Sequence, residues 1–127
     1  MRFWMKMPAR GRIAIYDSSW YRKGLIDRFD KKISDKDVEK AYRSILSFEE
    51  QLTADGMVLI KFFLAIDQEE QKKRFDKLLD SRETAWRVTK GDRKRNKNFE
   101  KYQAMNEEML SRTDTRHAPW NLVEAVD

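Results

Sequence analysis

The residues best suited to chemistry lie in Gly11-Arg-Ile-Ala-Ile-Tyr-Asp-Ser-Ser-Trp-Tyr21. A short apolar run, Ile13 to Tyr16, ends abruptly in Asp17 and a polar-aromatic cluster. Such a run reads as a buried strand of a parallel sheet, because strands covered on both faces lose the apolar–polar alternation. In open α/β sheets, ligands gather outside the carboxyl ends of the strands. A carboxylate placed there can hold a magnesium ion through water and so serve a phosphate. A second reading stays open: Asp17 caps the helix that follows, accepting from its free N–H groups.

Residues 82–97 offer the complementary charge. Arg82, Arg87, Lys90, Arg93, Lys94, Arg95 and Lys97 are opposed there only by Glu83 and Asp92, and Gly91 is expected to break the span. On a helical flap above strand ends, they would form a movable cationic lid. Phosphoryl transfer calls for such a lid, since charge spreads over the phosphoryl oxygens and water must be excluded. Two other readings are a solvated charged face and a nucleic-acid patch, the latter short of aromatics beyond Trp86 and Phe99. Thr113-Asp-Thr-Arg-His-Ala-Pro-Trp120 is either a phosphate-contacting turn or a simple helix-to-strand turn. No GxxxxGK[ST] loop is present, and the four glycines are isolated, so a phosphate cradle of that type is not among these residues.

Composition narrows the classes further. With no cysteine, disulfides and thiolate metal sites are excluded. The single His117 excludes a His-rich metal site and argues against a His-based nucleophilic triad. No apolar stretch approaches the roughly 20 residues that span a bilayer. Arg2 and Lys6 are followed by no apolar signal core. The expectation is a soluble cytoplasmic protein with no membrane partner. A net charge of +5 favours polyanionic partners.

Several elements must position these residues. Met1–Met7 reads as the tail of a helix, with Phe3, Trp4 and Met7 on one face and Pro8 as its stop. A chain that opens on half a helix is expected to lack an upstream piece. A helix is expected over about Trp20–Phe29. A second one starts at a Ser34/Asp37 cap, carries Val38, Ala41, Tyr42, Ile45, Phe48 and Leu52, and ends at Gly56. Met57–Ile66 reads as a second buried strand. Asp67 and Glu70 start another helix, and Phe99, Tyr102, Met105 and Met109 mark a further one. Trp120–Val126 is the last strand. Three strands alternating with helices in one 127-residue domain imply a parallel α/β sheet.

Taken in order, Arg2-Phe-Trp, Pro8–Tyr21, Phe48-Glu49, Lys61-Phe-Phe-Leu64, Glu70-Gln71, Arg74-Phe75, Trp86, Asp92 and Thr113-x-Thr-x-x-Ala-Pro-Trp120 run through the whole chain. This series resembles the polyphosphate kinase 2 family, which includes polyphosphate:AMP phosphotransferases. The resemblance implies a P-loop kinase-like three-layer α/β fold with a parallel sheet and a helical lid over about residues 67–112, centred on 74–97. Residues 1–127 would then be the C-terminal part of one domain copy, without the phosphate-loop strand and helix and inactive by itself.

The resemblance further implies phosphoryl transfer between inorganic polyphosphate and AMP, ADP or another nucleotide, with Mg2+. It makes Asp17 the magnesium-linked catalytic carboxylate and Arg74 the best-aligned catalytic cation. Lys23, Arg82, Arg87 and Lys90 become phosphate or lid contacts, while Trp20 and Tyr21 pack and position the loop after Asp17. Ser18 stands where the family keeps Arg, Leu78 where another Arg is usual, and Asp80-Ser81 in place of Asp-Pro. Lys23 and Asp27 replace Arg and Glu. These departures imply a degenerate copy from a fused two-copy member. In a structural or dimerising half of that kind, the apolar faces of the Val38–Leu52 and Phe99–Met109 helices would carry interfaces. A homo-oligomer or a fused second copy is expected, and a basic nucleic-acid-binding domain is the remote alternative.

Overall fold

A computed structural model describes residues 6–125. Its longest element, α1 (Asp35–Ala54), follows directly from the sequence. Val38, Tyr42, Ile45, Phe48 and Leu52 recur every three or four residues and are all buried. The Ser34 hydroxyl accepts from the Asp37 amide at 3.2 Å, and Asp35 and Asp37 add negative charge to the first turn. At the other end the chain reverses through Gly56 at φ 90. The Gly56 amide donates to the Thr53 carbonyl and the Met57 amide to the Leu52 carbonyl, a Schellman closure.

After α1 comes β1 (Lys61–Ala65), then α2 (Gln68–Leu79), α3 (Lys90–Lys97), α4 (Phe99–Thr113) and β2 (Trp120–Glu124). The strands pair in parallel, with Lys61 opposite Trp120 and Ala65 opposite Glu124. Parallel neighbours need a long crossover, and α2–α4 supply it. The Asp67 carboxylate caps α2 by accepting from the Glu70 amide at 2.7 Å. Val38, Tyr42 and Ile45 of α1 pack with Met109 of α4 and Tyr21, joined by Phe63 and Trp120 from the sheet. The apolar faces of α1 and α4 are therefore spent within this core, and the expectation that they form outside interfaces is corrected.

The sheet differs from expectation in strand number and cover. Two strands pair among the described residues, not three. Ile13–Tyr16 belongs to no strand, and Ile13 and Ile15 are 93% and 94% exposed. Val58, Ile60, Phe62 and Leu64 also leave one sheet face largely open. Of the second run, Lys61–Ala65 forms the strand expected over Met57–Ile66. Burial on both faces needs a second covering layer, and no described residue provides one here.

The segment after Asp17 is helical but irregular. A 3-10 turn, Ser19–Tyr21, leads into a π-turn at Lys23–Asp27 and a short helical end at Phe29. Gly24 is required by close approach, since a Cβ there would lie 2.8 Å from the Tyr42 ring. Gly91 does not break the basic span. It lies inside α3, where the reciprocal Thr89–Asp92 capping box starts the helix and offsets the glycine penalty. The break falls earlier, across the turns of residues 80–89. Met7–Ala9 is not helical, and Phe3, Trp4 and Val126 lie outside the described residues.

Candidate functional site

The chain has no regular secondary structure from Arg12 to Tyr16 and bends at Asp17 and Ser18. Ser18 (φ 57) and Ser19 (φ 43) both occupy the left-handed region. For residues other than glycine, this costs about 1–3 kcal/mol each and persists only where the surroundings impose it. The Ser19 hydroxyl oxygen is buried without a hydrogen-bond partner, a further local cost. The Ser18 hydroxyl donates to Asp17 Oδ1 at 3.2 Å. The cap reading of Asp17 is corrected, because Ser18 occupies the N-cap position of the next turn and no side chain caps it. The Asp17 carboxylate is exposed at the end of that segment.

The loop is held from below by a buried polar cluster. Glu49 of α1 is 0% exposed and Lys61 of β1 is 7% exposed. Glu49 Oε1 accepts from Trp20 Nε1 at 3.1 Å and from the Tyr21 hydroxyl. Glu49 Oε2 accepts from Lys61 Nζ at 3.0 Å, and Lys61 also donates to the Thr113 carbonyl at 2.8 Å. The ammonium sits 4.8 Å from the Trp120 ring centroid, a cation–π contact. Burial, then the Glu49 charge and its hydrogen bond, push the Tyr21 hydroxyl well above the usual phenol range, so it stays a donor. Residue patterning treated Glu49 and Lys61 only as parts of a longer series. The available signal was Lys61 itself, the sole charge within Met57–Ile66, and Glu49 between the core positions Ile45 and Leu52.

Arg74 sits at the carboxyl end of the sheet. Its Nε donates to Glu70 Oε1 at 2.9 Å and its NH2 to the Ala125 carbonyl at 2.6 Å, joining α2 to the end of β2. Arg82 and Arg87 lie on the segment linking α2 to α3 and Lys90 is the first residue of α3, all exposed, while Lys23 begins the π-turn. None of the four forms an ion pair among the described residues. Arg87 lies 5.6 Å from the ring centroid of the exposed Trp86. Arg95 differs, since it is bound to Asp92 at 2.7 Å and lies 3.8 Å from Asp30. Lys72, Arg93 and Lys97 rim an open groove between α2 and α3, floored by Phe75 and Leu79.

No hydrogen bond or ion pair links Asp17 to Arg74 or to the lid cations among the described residues. Residues 113–120 form a helix-to-strand turn whose polar groups serve one another. Thr113 donates to Met109 and accepts from the Trp120 indole, and Asp114 accepts from the Trp120 amide. No group of three or more His, Asp or Glu side chains gathers among the described residues. A lone exposed carboxylate still suits magnesium, which is commonly held by one or two carboxylates together with water and substrate phosphates. Among the described residues, no helix is long and apolar enough to cross a membrane.

Comparison with known proteins agrees with this architecture. The family model for Polyphosphate kinase 2 matches residues 1–127. A polyphosphate:AMP phosphotransferase of Pseudomonas syringae is 40% identical over 126 residues, covering 99% of this chain and 25% of that protein. An AMP/ADP-polyphosphate phosphotransferase of Meiothermus ruber is 32% identical, covering 98% of this chain and 46% of that protein. The crystal structure of Polyphosphate Kinase 2 from Arthrobacter aurescens superposes with TM-score 0.87 at 31% identity, over 96% of this chain and 43% of that one. The chain thus spans between a quarter and less than half of these relatives' length.

Proposed function

The chain belongs to the polyphosphate kinase 2 family, and on that premise we propose that the whole protein moves a phosphoryl group between inorganic polyphosphate and a nucleoside mono- or diphosphate. The observation that carries this is the stretch where Arg82, Arg87 and Lys90 stand exposed with no ion pair among the described residues. Exposed cations on a lid would meet the requirement of phosphoryl transfer for charge stabilisation without covalent chemistry. Asp17 would hold Mg2+ through water, and the ion would neutralise charge on the phosphates. Arg74 would face the ligand from the carboxyl end of the sheet, where α/β folds collect substrates. Lys23 is a peripheral phosphate contact. The reading includes a cytoplasmic location and a homo-oligomer or a fused second copy.

A second reading follows from Ser18 and Leu78, which stand where the family keeps arginine. Ser18 turns its hydroxyl onto Asp17 instead of offering a positive charge. In that reading this copy is a degenerate, non-catalytic half. One assay separates the two. The full-length protein is incubated with polyphosphate, Mg2+ and AMP or ADP, and nucleotide products are followed. Transfer that disappears with Asp17→Asn supports a catalytic copy. Transfer that survives assigns the chemistry elsewhere, and no transfer at all overturns the polyphosphate reading. The 127 residues alone are expected to give none, since no phosphate loop of the GxxxxGK[ST] type is among them.

A further inference from the structure

We propose that Glu49, paired with Lys61, is a positioning residue that fixes the orientation of Asp17; its catalytic consequence rests on the function proposed above. The loop from Asp17 to Ser19 is locally unfavourable. Two successive serines stand at positive φ, and the Ser19 hydroxyl oxygen lacks a partner. Such backbone persists only when something over-determines it. The chain after the loop supplies the constraint, since the consecutive side chains Trp20 and Tyr21 both donate to one oxygen of Glu49. The residue before Asp17 is tied to the same group, because the Tyr16 ring lies 5.9 Å from the Trp20 ring. Trp20 also meets Phe48 edge-on at 5.0 Å. Asp17 is thus bracketed by aromatics: Trp20 and Tyr21 after it are held by the Glu49 carboxylate, and Tyr16 before it packs on Trp20 and donates to the Lys6 carbonyl at 2.5 Å.

Lys61 makes that carboxylate a strong acceptor. It contacts the second oxygen of Glu49, the Tyr21 hydroxyl at 3.2 Å and the Thr113 carbonyl. The cluster therefore connects α1, β1 and the end of α4 to the loop. Charge-assisted hydrogen bonds in a dry site are short and directional, which suits orientation better than apolar packing does. A buried ion pair is weak evidence for stability, and replacement by apolar groups is often tolerated. Its value here is geometric.

The test uses the full-length protein with Glu49→Gln and, because that change strands Lys61, the milder Tyr21→Phe as second variant. Two readouts are taken. Amide hydrogen exchange at Ser18 and Ser19 is expected to accelerate at least about tenfold in a variant that unfolds at the wild-type midpoint. Turnover is expected to fall roughly 10- to 100-fold, as for a misplaced reacting group, with a rise in the Mg2+ concentration that gives half-maximal rate. Unchanged exchange in folded Tyr21→Phe and Glu49→Gln, or a turnover loss with an unmoved Mg2+ requirement, would overturn the proposal. If the wild-type protein shows no transfer, the functional reading fails, and the exchange measurement alone decides the positioning role.

Discussion

Two regions of this molecule handle charge in opposite ways. Around Glu49 and Lys61, two buried charges meet each other and three further hydrogen-bonding groups, and none of this polarity reaches solvent. Along residues 82–90, cations reach solvent and form no ion pair among the described residues. The first arrangement is complete in itself and can only shape the protein. The second is incomplete, and it would be completed by an anion from outside. Basic composition alone does not separate the two. What separates them is whether the fold has already supplied the counter-charge.

The sharpest way to break this contrast is to make the core as unpaired as the lid. Lys61→Met strands the Glu49 carboxylate in the interior. It is expected to cost about 3–5 kcal/mol of unfolding free energy, read from denaturant curves. Adding Glu49→Gln should recover much of that loss, and equal losses in single and double variants would refute the pair's interdependence.

The complementary change removes the lid's charge. Arg82→Gln, Arg87→Gln and Lys90→Gln together are expected to lower kcat/KM for polyphosphate roughly 100-fold while leaving the unfolding midpoint unmoved, because exposed unpaired side chains hold nothing in place. A fall in midpoint with unchanged kinetics would make the lid structural.

The smallest effect concerns Asp92, the carboxylate paired with Arg95 at the start of α3. Burial raises the Asp92 pKa, but hydrogen bonds from the Thr89 amide and hydroxyl and from Arg95 outweigh it and hold the carboxyl below its ordinary value. A depressed folded-state pKa contributes stability that is present above the ordinary carboxyl range and lost as pH falls through the lower folded value. The amides at the start of α3 should therefore lose protection from exchange only below about pH 4. Asp92→Asn should remove that pH dependence, and protection that fades near neutrality would contradict it.

Much of the fold was legible because its signals are local. Ser34, Gly56 and Asp67 announce their helix ends within a few residues, and the stripe from Val38 to Leu52 marks the core face. The crowding of basic residues over 82–97 was legible for the same reason. The Asp17 loop was half legible. Its place at a strand-like end follows from Ile13–Tyr16, but its left-handed serines do not, since nothing in the Ser-Ser dipeptide demands positive φ. The Glu49–Lys61 pair was the least legible, because its partners converge on α1 from β1, the end of α4 and the loop after Asp17. The exposure of Ile13 and Ile15 escaped for a related reason: burial belongs to a residue's neighbours as much as to its own type.

The open sheet face bears on how this polypeptide behaves in a tube. Val58, Ile60, Phe62 and Leu64 lie beside free backbone edges of a two-stranded sheet, a surface on which molecules can add to one another strand by strand. A net charge of +5 opposes such encounters only while salt is dilute and the screening length long. In any preparation where that face stays uncovered, clear solutions at low salt should turn turbid as salt is added, the reverse of ordinary salting-in.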